Sequence, residues 1–525
     1  MSISRRDVLK SGSALLVAAY AGRPGAVLAQ SVPSSFDYYI STTGDDNNAG
    51  TLASPWSITA LNSKHSTYAG KKVGILPGMY QYGIVGGVQT SLYSIHSGMA
   101  HSSCALQLQG GTSASPTFVG ASTTSGSYSP PVAGTGPTVI LDFSQPGTGT
   151  RSTTDGHAIG QSYLGSYVPS VQGYLTIAGI KVQVATTSGI GFQGGIGGSY
   201  AVPGLIIRDC EVYDMLAASS GNNPAGIFIY KQMPGGLITN CLIHKTRTAG
   251  GTLNPYGQPA IVFNQDLGTN EGFTATIDHC TIYDGGICVE TKNNFAHVDV
   301  QYCYLEFGTL GTYTGSAGQF AVWGICVAPG DSVTFKYNVV CGGIIQQTAG
   351  DTNEGNVTAT NCTFYCGPAG GRKVGNDIFC FVDNGSTGSG NFSHNICWSD
   401  GGYDGGNNGI GSVGFANSGA GMSFDYNYYG TGCTFGGAGG AATTFTKWQG
   451  AGKDPHSSSI SSTPFAGTPV SGTVSSFVVK SSYLTASDGN PCGALNSNGL
   501  AADGSGIVGC NFTSPIPNAP VLKIG

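Results

Sequence analysis

Charge is scarce in this chain, 9% of 525 residues, so the places where charged side chains gather carry information. Glu290 ends the apolar stretch GICVE (286–290), with Lys292 two positions later. Lys231 and Asp266 follow the comparable stretches GIFIY (226–230) and AIVFN (260–264), and Asp383 ends a more loosely aligned one. Two lysines and two carboxylates thus fall in three neighbouring units. Paired carboxylates can act as acid and base or nucleophile in a hydrolysis, with their separation setting the stereochemistry. Asp266 and Glu290 are the expected pair, with Asp383 in reserve. Alternatively, Lys292 or Lys231 can remove a proton α to a carboxyl group, its pKa lowered by the other lysine. Asp266 and Glu290 would then be ligands for a Ca2+ ion. Tyr230, Asn264 and Trp323 are expected to contact the substrate, the two aromatics through an apolar ring face. Ordinary solvated surface residues are the competing account of the same pattern.

These residues need a scaffold that brings successive units together, and the chain repeats. The pattern apolar-x-x-Cys-x-apolar recurs in LIIRDCEV (205–212), LITNCLI (237–243), ATIDHCTI (275–282), VDVQYCYL (298–305) and VTATNCTF (357–364). LTIAGIKV (175–182), VTFKYNVV (333–340), GNFSHNIC (390–397) and MSFDYNYY (422–429) keep the pattern with Ile or Asn in place of Cys. Alternation with period two makes each segment a strand. The GICVE-type stretches supply another strand in several units, and Gly, Asn, Asp, Ser and Thr fill the gaps as turns require. Nine irregular repeats of one unit predict a solenoid, specifically a single-stranded right-handed parallel β-helix with its coils about 4.8 Å apart.

In that register Cys210, Cys241, Cys280 and Cys303 form one inward column, continued by Asn338, Cys362, Asn395 and Asn427. Cysteine is small and apolar enough to stack inside a core, and asparagine can hydrogen-bond along the stack. The 15 cysteines are therefore expected to form a structural thiol ladder, with a bridge such as Cys492–Cys510 left open. The domain boundaries expected are a signal peptide at 1–29, a cap and first irregular coils at 30–173, a regular helix at 174–430, and degenerate coils and tail at 431–525.

Both ends carry a resemblance. DYYISTTGDDNNAGTLASPWSITALN (37–62) and GKKVGILPGMY (70–80) resemble, in order and wording, the opening of the pectate-lyase-like superfamily of secreted β-helix proteins. By that likeness SITALNSK is a helix capping the open end of the core. FTKWQGAGKDPHS (445–457) resembles the W-x-x-x-G-x-D-x-H-S segment of their C-terminal tails, so the likeness spans most of residues 37–505. It implies polysaccharide cleavage, by β-elimination or hydrolysis, in a groove on the face bearing the GICVE-type strands. One fold hosts many activities, and here closer motifs depart. Residues 275–305 are similar to the polygalacturonase repeat, but Gly285-Gly286 stands where that family carries its catalytic Asp pair, with Asp284 just before. The next coil reads Val322-Trp323-Gly324-Ile325 instead of Gly-His-Gly. The alginate and chondroitin lyase pattern places Glu several residues before Lys, whereas Glu290 and Lys292 are two apart. A non-catalytic carbohydrate-binding or cell-surface β-helix is the alternative.

Other groups suggest less. His244, Lys245 and Arg247 follow the first strand of their coil and are expected to be structural or solvated. Arg151, Asp155 and His157 lie in an irregular insertion, His96 and His101 flank Cys104 without completing a zinc set, and Tyr313 is a further candidate for stacking on a sugar.

The first 29 residues read as a targeting segment. Ser4-Arg5-Arg6-Asp7-Val8-Leu9-Lys10 precedes the apolar run 14–21, and Val27-Leu28-Ala29 offers a cleavage site. The paired arginines resemble the twin-arginine signal, which exports folded proteins, although valine replaces the usual phenylalanine. Removing the segment leaves 17 basic and 26 acidic residues, a net charge of −9. An acidic exported chain is a poor partner for nucleic acid, and no later 20-residue apolar run predicts a membrane span. The expectation is a periplasmic or secreted monomer acting on polysaccharide.

Overall fold

The computed structural model describes residues 32–81, 104–143, 157–161, 173–183, 194–198, 202–213, 216–217, 225–229, 233–244, 247–248, 260–264, 273–285, 288–292, 296–307, 323–326, 332–341, 344–346, 356–366, 378–382, 389–400, 412–415, 421–431, 433–437 and 444–512. The chain winds into a single-stranded parallel β-helix with two twelve-stranded sheets and one of eight strands. One coil shows the order. Phe273–Asp278 lies in the first sheet, Thr281–Gly285 in the second and Val289–Lys292 in the eight-stranded sheet. Ala296–Gln301 then returns to the first sheet, parallel and in register with Phe273–Asp278 over six residues.

The corner between the first and second sheets explains the repeat. Asp209, Asn240, His279, Tyr302, Tyr337, Asn361, His394 and Tyr426 all have φ between 50° and 59°, a left-handed conformation that turns the chain sharply. Asn, Asp and His tolerate it; tyrosine rarely does. Stacking along the corner supports the aromatic members. Tyr302 and Tyr337 lie 5.3 Å apart at 7°, and Tyr426 is sandwiched between His394 at 5.1 Å and His456 at 5.0 Å.

The next residue of each corner points inward and forms the expected column. Cys210, Cys241, Cys280, Cys303, Asn338, Cys362, Asn395 and Asn427 are all fully buried. The Cys210 thiol donates to the carbonyl of Ile177 one coil back at 3.6 Å, and Cys241, Cys280 and Cys303 repeat this to Ile207, Ile238 and Ile277. Burial pushes the Cys210, Cys241 and Cys280 thiols well above their ordinary pKa and Cys362 up to about 12. The asparagines bond along the stack as expected: Asn338 Oδ1 accepts from the Cys303 N–H and Asn395 Oδ1 from the Cys362 N–H, both at 2.8 Å. The possible Cys492–Cys510 bridge does not form. Both thiols are free, Cys492 donating to the Asn395 carbonyl and Cys510 to that of Phe512.

Both caps differ from plain coil. At the N-terminal end the short helices Ala60–Ser63 and His65–Tyr68 place Ala60, Leu61 and Tyr68 on the end of the core, as the SITALNSK segment implies. In-register strands begin earlier than residue 174, because Lys72–Ile75 pairs with Tyr38–Ile40 and Thr117–Ala121 with Lys72–Ile75. At the other end the helix Phe445–Gly450 is N-capped by the Thr444 side chain and buries Trp448 against the core. The following segment, expected as degenerate coils, runs back down the outside of the second sheet. Phe465, Phe477, Ala494, Leu495, Ala501 and Val508 pack there on Tyr304, Val339, Cys341 and Tyr365. The strap is fastened to the corner residues in turn: His394 to Asp488, Asn361 to the Pro491 carbonyl, Tyr302 to Asp503 and Asn240 to Asn511. It lacks a repeat because it reads an existing surface instead of adding a rung.

Candidate active site

Among the candidate residues, Asn264, Glu290, Lys292 and Trp323 lie on strands of the eight-stranded sheet. Tyr230, Lys231, Asp266 and Asp383 lie outside the described residues, as do Arg151, Asp155, His96, His101, Lys245 and Tyr313. Register decides which positions meet. Asn264 stands opposite Lys292, and Glu290 opposite Val262 on one side and Cys326 on the other. Aligning Asn264 with Glu290 by strand end is therefore off by two residues. Trp323 pairs with Ile344, at the start of its strand and one coil further on.

The row containing Glu290 changes character along the helix axis. Phe228 and Val262 are register partners at consecutive coils. Both are buried, but with Ala225 they form a small cluster of their own, apart from the core that takes Ile227, Ile229, Ile261 and Phe263. Strand alternation puts Phe228 and Val262 on the outer side of the sheet. Glu290 is the next position in the same row, so covered apolar surface gives way there to a carboxylate position. Lys292 and Asn264 form the adjacent row. Backbone register thus sets a carboxylate position and a lysine position in neighbouring rows of one face of the sheet. Among the described residues no group of three His, Cys, Asp or Glu stands where it could hold a metal ion.

Sequence reasoning missed a charged cluster on the second sheet. Lys181 and Glu211 are register partners, and His244 pairs with Tyr213 on one side and Tyr283 on the other. Lys181 Nζ lies 2.7 Å and His244 Nε2 3.0 Å from the same Glu211 oxygen, Oε1. Lys181 also sits over the Tyr213 ring at 4.9 Å, and His244 stacks on Tyr283 at 5.2 Å. Burial opposes the charge on Glu211, but the His244 hydrogen bond and the Lys181 ammonium outweigh it and hold the carboxyl below its usual range. Glu211 and His244 have no exposed surface, so the cluster braces the flank and does not present itself to substrate. His244 is structural, as expected. Arg247 lies on the two-residue strand Arg247–Thr248, which pairs with Leu216–Ala217. The available signal was the single charge in each of IKV (180–182) and EVY (211–213), each one residue after its ladder position, Ile180 or Cys210.

Glu306 is a second buried acid on this flank. It accepts from Tyr304 Oη and Ser471 Oγ, each at 2.6 Å, and from the Gly472 N–H at 2.9 Å. Its task is to hold the strap. Among the described residues the outer side of the second sheet is thus occupied by buried charge and by the strap.

No protein-family model and no curated protein matches the chain. Among solved structures it is similar to pectate lyase Pel9A, with 14% identity over 69% of this chain and 75% of that one, at a TM-score of 0.43. It is also similar to a rhamnogalacturonan lyase, with 15% identity over 69% and 81% of the two chains and a TM-score of 0.42. A GH136 lacto-N-biosidase from Eubacterium ramulus matches at 13% identity over 75% of this chain and 60% of its own, with a TM-score of 0.39.

Proposed function

We propose that the chain is an exported enzyme that cleaves polysaccharide on the outer face of the eight-stranded sheet, with Lys292 and Glu290 as its central groups. The observation that carries this reading is the register: Lys292 stands beside Asn264 on the neighbouring coil, and Glu290 continues a row whose two preceding members are buried and apolar. The resemblance of both chain ends to secreted β-helix proteins supports it, as does the arginine pair of residues 5 and 6, which fits export through the twin-arginine route. Asp266 and Lys231 follow strands of that sheet in sequence, Asp383 follows Ile378–Val382 of a separate three-stranded sheet, and together they complete the set from which a base, an acid or a Ca2+ ligand would be drawn.

The test is to incubate the mature protein with neutral and uronate polysaccharides, with and without chelator, following ultraviolet absorbance and reducing ends together. Absorbance rising with reducing ends marks β-elimination and assigns the base to a lysine; Lys292→Ala should then abolish turnover while the protein stays folded. Reducing ends alone mark hydrolysis and shift the loss to Glu290→Gln and Asp266→Asn. Turnover untouched by Lys292→Ala and Glu290→Gln would remove this face from consideration. Binding without turnover across the panel would replace the enzyme by a carbohydrate-binding protein.

A further inference from the structure

Cys210, Cys241, Cys280, Cys303, Cys362, Cys492 and Cys510 are free thiols, all but Cys510 buried, and no function so far described uses them. Four stand at one corner of four consecutive coils: Cys210, Cys241, Cys280 and Cys303. Each thiol hydrogen is shared between two carbonyls, one two residues earlier in its own coil at 3.2 to 3.4 Å and one of the preceding coil at 3.6 to 3.8 Å. The Cys303 sulfur also accepts the backbone N–H of Cys280 at 3.4 Å. A disulfide can supply no such donor.

Geometry sets the thiols apart once the coils have stacked. Neighbouring strands keep equivalent side chains about 4.8 Å apart, whereas bridged cysteines bring their Cβ atoms to about 3.8 Å. Bridging two rungs would pinch the corner and remove the thiol donors from these contacts. The unfolded chain has no such protection. The four cysteines are separated by 31, 39 and 23 residues, and closing loops of that size is cheap.

We propose that the column is a redox gate on folding: the β-helix forms only from the reduced chain, and a disulfide between neighbouring rungs blocks it. The oxidant is a small-molecule or protein disulfide. With oxidised glutathione, two protein thiols yield one protein disulfide and two reduced glutathiones, the electrons passing to the glutathione sulfurs. Once folded, the column is protected by its geometry and because burial suppresses the Cys210, Cys241 and Cys280 thiolates that would attack. The gate operates whatever compartment the chain enters and whatever it binds, so its failure and that of the proposed activity are separable.

The test refolds the mature chain from denaturant and reductant into buffer with reduced or oxidised glutathione. The expected result is at least about a tenfold lower yield of folded protein in the oxidised buffer. Native protein incubated in that same buffer should keep its structure and, after later denaturation, its full count of titratable thiols. Disulfide mapping of the trapped material should find bridges among Cys210, Cys241, Cys280 and Cys303. Equal yields in both buffers, disulfides entering the native protein, or trapped bridges that avoid these four residues would each overturn the proposal.

Discussion

Asn427 Oδ1 accepts two hydrogen bonds from Asn395 one coil below, from its backbone N–H at 2.9 Å and from its Nδ2 at 3.1 Å. Asn427 Nδ2 donates in turn to the Phe392 carbonyl and to Asp454, at 2.9 and 3.0 Å. One amide therefore ties the level below its own, through Asn395 and Phe392, to the level above, through Asp454. Inside an apolar core this works because no donor or acceptor is left over. A cysteine at such a position donates only one weak bond, which suffices lower in the column where the corner N–H groups find other partners.

Asn427→Ala should consequently be among the most damaging single changes in the upper coils. It strips the acceptor from two buried donors of Asn395 and the donor from Phe392. Each orphaned group costs about 1–3 kcal/mol, so a loss of several kcal/mol is expected, read as a lower midpoint in thermal or urea unfolding. Asn427→Asp should not rescue it, since a carboxylate cannot donate to the Phe392 carbonyl or face Asp454.

The Lys181–Glu211–His244 cluster predicts a pH dependence with a definite sign. The folded-state pKa of Glu211 is lowered, so the unfolded chain binds more protons at acid pH. The stabilisation is present above the ordinary glutamate range, about pH 4.3, and is lost as pH falls through the folded-state value. Glu211→Gln should remove this part of the acid sensitivity. It should also destabilise at neutral pH, because Lys181 would be left buried without its counter-charge. Unfolding curves collected between pH 3 and pH 7 for both proteins check this: parallel pH profiles would show that Glu211 does not contribute.

How much of this was legible in the chain depended on whether a residue repeats. The column residues recur one per coil at a fixed place after an alternating strand, so Cys210 and Asn427 could be aligned without a structure. Asn264 and Lys292 could not, because the strands of the eight-stranded sheet end in connections of unequal length and strand ends do not mark register. Lys181 and Glu211 each occur once, and their pairing appears only when the 30-residue step between them completes a turn. The strap was invisible for a different reason: Phe465, Phe477 and Leu495 follow no period, since they fit pockets between rungs.

The strap also carries a partly exposed ionic contact, between Asp488 and His394. Partial burial works against the Asp488 charge, but the Asn490 N–H and then His394 prevail and bring its pKa down to about 2. That contribution is present above the ordinary aspartate range, about pH 3.9, and fades only as pH approaches 2. Asp488→Asn keeps the shape and removes the charge. It should loosen the strap locally, measured as faster protease cleavage within residues 485–492 at neutral pH, with little change in the global unfolding midpoint. Unchanged cleavage would mean that the apolar contacts of Phe465 and Phe477 hold the strap without help from this pair.

Asp454 closes the upper end of the column, and its chemistry explains the W-x-x-x-G-x-D-x-H-S segment. The carboxylate accepts from Trp448 Nε1 at 2.6 Å, Ser457 Oγ at 2.7 Å, Asn427 Nδ2 at 3.0 Å and Tyr429 Oη at 3.2 Å. Gly452 supplies a positive φ of 79° in the turn, and His456 pairs with Asp425. Four donors converge on an acceptor that has no donor of its own. Burial nevertheless raises the Asp454 pKa despite those four bonds, so the folded state binds the extra proton, and this residue's contribution to stability falls as pH rises through the carboxylate range. That sign is opposite to the one at Glu211. Asp454→Asn removes the charge but turns an NH2 group toward hydroxyl and indole donors, and should cost about 1–3 kcal/mol. Asp454→Ala leaves all four donors unsatisfied and should cost more. If the asparagine variant were instead as stable as the parent at pH 7 and above, the cost of burying the charge would exceed the value of the four hydrogen bonds, and the cap would be held by the packing of Trp448 on Phe424 and Phe435.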